Sequence, residues 1–225
     1  MAPKRIHLMG IDPGGSTGWC CLTVSRLCIF GDEPAHIAEW DYGVFHGHEP
    51  TQAEGIARLA REIQSLDYKV GPALVIEGWT IDPSFKSRDE ETLSPVRLGA
   101  MLQLLQHQKK LGDCTLTFQN RTAKEATAVS DDRLRRLHMY VANPHIRDAT
   151  KHAIMGLRRA RENPEFAAGL WPYLANDVTR SLSGSGKPAL LARRLTTGGK
   201  FPPGKGRTPC PFARLSSLWR LSSRS

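Results

Sequence analysis

Two short apolar runs in this chain each end in a carboxylate. "HLMGI" runs into Asp12, and "ALVI" runs into Glu77. Runs of this length are too short for a buried helix and suit strands covered on both faces, as in a parallel sheet. Such strands bury no charge, so each acid marks where a strand emerges. In open α/β sheets the C-terminal edge of the strands is where ligands bind. One strand-end acid is as readily a cap or turn residue as a ligand. Two of them, each directly after a buried run, favour a shared site. Pro13, Gly14 and Gly15 follow Asp12, a turn in which glycine leaves the main chain open to a bulky group such as a phosphate.

The surrounding pattern embeds these strands in an α/β fold. "RIHLMGID", "GWCCLTVS" and "AEWDYGVFHG" predict three strands joined as an antiparallel meander. "TQAEGIARLAREIQSLDY" predicts a helix opened by a Thr51–Glu54 capping box, with Ile56, Leu59, Ala60 and Ile63 as its apolar stripe. "PALVIEGW" reads as a buried parallel strand. "SPVRLGAMLQLLQHQKKLG" predicts a helix capped by Ser94, with Pro95 at its first position and Gly112 as the stop. "CTLTFQ" is a fifth strand, "TAKEATAVS" and "DDRLRRLHMY" are helical, and "NPHIRDATKHAIMGLRRARE" is the last clear helix. The expected architecture is RNase H-like. Its five-stranded mixed sheet has strands one to three antiparallel and strands four and five parallel, with helices on its flanks.

Residues 1–175 are expected to form this domain, and 176–225 a basic, disordered tail rich in Ser, Gly, Pro and Arg. The formal charge of +9 belongs to that tail: ten Lys and Arg and no acid follow Asp177, whereas the preceding residues carry 21 basic and 22 acidic groups. The isoelectric point therefore says nothing about nucleic-acid binding by the folded part. The five cysteines, at 20, 21, 28, 114 and 210, lack C-x-x-C spacing and suit reduced thiols in the cytoplasm. No run approaches the ~20 apolar residues of a membrane span, and "MAPKRIHLMGID" lacks the apolar region and cleavage site expected of a signal peptide.

A third segment, "NPHIRDATKHA", supplies further donors. Asn143 can cap a helix and Pro144 fits its first turn. His145, Asp148 and His152 then share one face, while Ile146, Ala149, Ala153 and Leu157 occupy the neighbouring face and can pack on the sheet. A helix so packed aims His145 and Asp148 at Asp12 and Glu77; His152 is read as structural. Three carboxylates and an imidazole repel one another unless cations join them. Hard oxygen ligands suit Mg²⁺ or Mn²⁺, and two such ions ~4 Å apart can cleave a phosphodiester.

"GIDPGGSTGW", "LVIEGW" and "PHIRDATKHA", in that order, resemble the three active-site motifs of RuvC-type Holliday junction resolvases, over roughly Ile6 to Arg161. "SDDRLRRLHMYVANPHIRDATKHAIMGLRRA" is similar to the RuvC-like proteins of phages that infect actinobacteria. The resemblance implies an RNase H-like endonuclease that depends on Mg²⁺, with Mn²⁺ substituting and two ions per site. It also implies a homodimer that nicks symmetric strands of branched DNA, the four-way junction. By the same match Asp12, Glu77 and Asp148 are metal ligands, and His145 takes the place of a fourth ligand that is an acid in some members. Lys124, in "NRTAKEA", lies roughly where the family has an active-site lysine that contacts the scissile phosphate. An aromatic that meets unstacked bases is expected after the second acid, and Trp79 and Phe85 both qualify.

Other classes fit less of the sequence. A different RNase H-like nuclease, acting on RNA–DNA hybrids or other branched DNA, uses the same residues. An actin-like ATPase or sugar kinase also reads Asp-x-Gly-x-Thr after a strand, but needs a second such loop that the sequence lacks. A non-catalytic DNA binder gains nothing from clustered acids beside phosphates. "HGHE", His46 to Glu49, has metal-like spacing but no partner cluster. The arginines at 133, 135, 136, 158, 159 and 161 fit a solvated helix face as well as a DNA groove.

Overall fold

Period-two alternation along the first strand assigns each side chain to one side of the sheet. In the computed structural model, which describes residues 5–30, 33, 36–66, 71–78, 90–120 and 129–174, the chain begins with β1 (Arg5–Asp12), β2 (Thr17–Ser25), α1 (Leu27–Phe30) and β3 (Ile37–Phe45). It continues through α2 (Glu49–Leu66), β4 (Ala73–Gly78), α3 (Glu90–His107) and β5 (Thr115–Asn120). The last elements are α4 (Asp131–Arg136), α5 (Pro144–Glu162), α6 (Pro164–Leu170) and a 3₁₀ turn, Pro172–Leu174. The sheet order is β3-β2-β1-β4-β5, with β2 antiparallel to β1 and β3, and β4 parallel to β1 and β5. This is the mixed five-stranded sheet of the RNase H-like expectation.

Two apolar layers cover the sheet. Met9 and Ile11 of β1 and Leu74 and Ile76 of β4 pack with α2 and α3, whose Ile56, Ile63, Leu98 and Leu102 are fully or almost fully buried. Ile6 and Leu8 of β1 and Ala73 and Val75 of β4 face the opposite layer, centred on α5. There Ile146, Ala149, Ala153 and Leu157 are buried as their helical spacing predicts. Each large aliphatic chain removed from water in this way contributes roughly 1.5–3 kcal/mol.

Glycine decides how close α5 can come. A Cβ on Gly10 would lie 2.2 Å from the carbonyl oxygen of Ala149, and one on Gly18 would lie 2.2 Å from that of His145. The helix therefore rests on the main chain of β1 and β2, a contact that any larger residue would block. At its start Asn143 accepts a hydrogen bond from the Ile146 N–H at 3.2 Å and Pro144 opens the first turn, as expected.

Several boundaries differ from the sequence expectation. Helix α2 starts at Glu49, so Thr51 and Glu54 lie inside it; the His48 carbonyl accepts from Gln52 N at 3.1 Å, and Pro50 sits in the first turn. Helix α3 starts at Glu90, and Ser94 is an interior residue whose hydroxyl donates to the Gly14 carbonyl at 3.2 Å. It stops at His107 rather than at Gly112, because Lys109 turns left-handed with φ 58°. Lys109 N then bonds Gln106 O at 2.9 Å, and Lys110 N bonds Leu105 O at 2.8 Å, the paired closure of a Schellman turn. His138, also at φ 58°, ends α4 in the same way. The short helices α1 and α6 carried too little periodicity to stand out. Segment 121–128, which holds all of the expected "TAKEATAVS" helix but Val129 and Ser130, and the tail from 175 onward lie outside the described residues.

Cys20, Cys21, Cys28 and Cys114 are buried thiols. Burial pushes the thiols of Cys20 and Cys114 up to about 12. Among the described residues no helix is long and apolar enough to cross a membrane.

Candidate metal centre

The alternation that assigns Ile6 and Leu8 to the α5 layer assigns Asp12 to it as well, and Glu77 follows Ala73 and Val75 in the same sense. In the parallel register Ile11 pairs with Ile76, so the two acids emerge side by side at the C-terminal ends of neighbouring strands. Helix α5 crosses above them. His145 Nδ1 and Asp12 Oδ2 are 3.1 Å apart, and His152 Nε2 and Glu77 Oε2 are 3.4 Å apart. One ligand atom from each of Asp12, Glu77 and His152 lies within 4.8 Å of the other two, the group of metal-ligating side chains that converges among the described residues.

Exposure differs across this group. The side chains of Asp12 and Glu77 are 13% and 17% exposed, that of His152 only 2%, and that of His145 40%. An ionised carboxylate only accepts hydrogen bonds, so His145 donates through Nδ1–H, which leaves its Nε2 lone pair on the outer side when the ring is neutral. His152 Nδ1 is buried without a hydrogen-bond partner, and the working atom of that ring is the Nε2 that faces Glu77.

The donor chemistry fits a divalent cation. Two carboxylates held side by side repel each other, and a cation between them removes that cost. Oxygen donors suit Mg²⁺ and Mn²⁺, and imidazole nitrogen shifts the balance toward the later transition metals.

Asp148 shares the helix face of His145 and His152, one turn from each, and one of its carboxylate oxygens meets Lys151. Lys151 Nζ donates to Asp148 Oδ1 at 3.0 Å and lies 3.0 Å from Asp131 Oδ1. The sequence reading grouped Asp148 with the two strand-end acids and read His152 as structural; the structure brings His152 to those acids. The signal for His152 was its seven-residue spacing from His145, which a packed core histidine would show equally.

The segment after Asp12 is braced from the opposite layer. Gln52 of α2, almost fully buried, donates through Nε2 to the carbonyls of Gly15 at 3.0 Å and Gly47 at 2.7 Å, and Thr17 donates its hydroxyl to Gln52 Oε1. Ser16 meets His46 Nδ1 at 3.1 Å. Neither Gly14 nor Gly15 has a left-handed φ, and a Cβ on Gly15 would meet nothing within 4 Å. Main-chain access, rather than backbone geometry, is what glycine supplies there. His46 is thus tied to Ser16, and Glu49 lies 3.7 Å from Arg97; "HGHE" forms no metal group among the described residues. Trp79, Phe85 and Lys124 lie outside the described residues.

No protein-family model and no characterised protein sequence matches the chain. Among solved structures it is similar to RuvC of Thermus thermophilus in complex with a Holliday junction substrate, at 12% identity and a TM-score of 0.46 over 69% of this chain and 95% of that one. A second Thermus thermophilus RuvC structure is similar at 15% identity and a TM-score of 0.46, over 69% of this chain and 96% of that one.

Proposed function

We propose that this chain is a divalent-metal-dependent endonuclease acting on branched DNA, a junction-resolving nuclease of RuvC type that works as a homodimer. The observation that carries this reading is the convergence of Asp12, Glu77 and His152 within 4.8 Å at the C-terminal edge of the sheet. The three sequence motifs that resemble the RuvC-type family supply these residues, together with His145 and Asp148.

Asp12 and Glu77 would hold the cation, with His152 beside Glu77 and the outer nitrogen of His145 as further donors; Asp148 completes the set in the reading from sequence. Bound Mg²⁺ or Mn²⁺, two per site, would stabilise charge on the phosphoryl oxygens and lower the pKa of a water. Asp12 orients the His145 ring through the Nδ1 hydrogen bond, as a carboxylate beside a metal-binding histidine commonly does. The open main chain at Gly14 and Gly15 leaves room for a phosphate. Lys124 is assigned to the scissile phosphate, and Trp79 or Phe85 to the unstacked bases.

The test compares four-way junction, fork and linear duplex as substrates, each in Mg²⁺, Mn²⁺ and chelator. Junctions are expected to be nicked in either metal and left intact in chelator. Asp12→Asn should bind the junction normally while cleavage falls by about 10³-fold or more, equivalent to several kcal/mol of lost transition-state stabilisation. Cleavage that survives in that variant, or in chelator, would end the proposal.

A further inference from the structure

Lys151 lies where a cation site would least be expected to place a lysine. Its ammonium is 3.0 Å from Asp148 Oδ1 and 3.0 Å from Asp131 Oδ1, and its side chain is only 16% exposed. Asp148 belongs to α5, on the face that carries both histidines, whereas Asp131 opens α4. Arg147 Nε adds a second cation 3.5 Å from Asp131. One ammonium is therefore shared by two carboxylates that differ in purpose. One sits a single helical turn from each histidine of the candidate centre; the other lies on a separate helix and has a second basic partner.

We propose that Lys151 is a positioning residue that stands in for a divalent cation at Asp148 and passes to Asp131 when Asp148 turns to the metal centre. The proposal rests on the reading of Asp12, Glu77 and His152 as a divalent-cation site. An ammonium carries three donors and no directional fork, so Lys151 can give up one acceptor and keep the other. Asp131 makes that exchange cheap, because it leaves the half-buried ammonium with a carboxylate partner throughout. Without Asp131, release of Asp148 would strand the charge of Lys151 in a poorly solvated position, a cost that Asp148 could avoid only by keeping its lysine. Asp131 thus sets how readily Asp148 becomes a ligand, although it touches neither metal nor DNA.

The experiment is a double-mutant cycle on Mn²⁺ affinity of the full chain, read from the paramagnetic resonance signal of free Mn²⁺ without any nucleic acid. Lys151→Met should tighten Mn²⁺ binding and Asp131→Asn should weaken it, each by about twofold or more, the lower end of coupling between residues in contact. In the Lys151→Met background Asp131→Asn should leave the affinity unchanged, because its effect runs through the lysine. Charge removal acting only at a distance gives the opposite pattern, in which the two changes multiply independently. That outcome, or weaker binding by Lys151→Met, overturns the proposal. If Lys151→Met loses its circular dichroism signature, Lys151→Gln takes its place in the cycle with the same expectations. A wild-type chain that binds no Mn²⁺ defeats the metal-site reading itself, and this proposal with it.

Discussion

Gly10 and Ala149 meet main chain to main chain: a Cβ on Gly10 would stand 2.2 Å from the Ala149 carbonyl oxygen and 2.7 Å from Ala153 N. The donors on α5 reach the strand-end acids only because this seam is closed. Both opposing atoms are backbone, so no side-chain rotation can relieve an added methyl.

Gly10→Ala should therefore push α5 off β1. Overpacking of this kind costs about 1–3 kcal/mol, measured as a lowered midpoint of denaturant unfolding. Mn²⁺ affinity should fall with it, since His152 and Glu77 separate. A variant with unchanged midpoint and unchanged affinity would show that the helix does not rest there.

His152 allows stability and metal binding to be moved in opposite directions. Its Nδ1 is buried without a partner, so exchange for an apolar residue removes an unsatisfied polar atom. His152→Leu should keep or slightly raise the unfolding midpoint. Mn²⁺ affinity should nonetheless drop by about ten- to a hundredfold, the usual effect of losing a group that holds or orients a metal ligand. Unchanged affinity would return His152 to a packing role.

These residues show what was legible in the sequence and what was not. Asp12 and Glu77 could be placed because each follows a buried strand, and strand period fixes the face. The packing face of α5 was readable from Ile146, Ala149, Ala153 and Leu157, all buried. His152 was not, since helical spacing puts it equally on the seam and at the site. The link from Asp148 through Lys151 to Asp131 depends on how α4 docks, which no local pattern encodes. Helix starts slipped for a related reason: Ser94 resembles a cap in sequence but spends its hydroxyl on Gly14, a partner 80 residues away.

Asp41 of β3 gives a pH dependence of known sign. Burial holds its carboxyl above the ordinary aspartate range, although the Tyr42 N–H donates to it at 2.8 Å and opposes the shift. A raised native pKa favours the protonated form, so the associated stability is present at low pH and is lost as pH rises through that value. At pH 7 the native protein carries this burden. Asp41→Asn should be the more stable form at pH 7, with the gain narrowing as pH falls toward about 3.9, the ordinary value for aspartate. Denaturant midpoints measured across that range provide the check; a gain independent of pH would exclude the carboxylate as its source.

The basic segment after Asp177 should act on DNA through charge alone. With ten Lys and Arg and no acid, it releases counterions from any duplex it meets. Removal of residues 178–225 should weaken non-specific binding and flatten the slope of log affinity against log salt. The cleavage rate at saturating junction should stay within about twofold, since local chemistry owes little to a distant phosphate contact. An unchanged salt slope would exclude the segment from DNA contact.

His145, Asp148, Lys151 and His152 all ride on α5, a single rod of 19 residues. Undocking that rod would leave Asp12 and Glu77 facing each other with neither imidazole in reach. Loading the centre and seating the rod are then linked: whatever binds only the seated state holds it down by mass action. Metal content should consequently report on tertiary order in this protein, and protection of the α5 amides from hydrogen exchange should rise and fall with it.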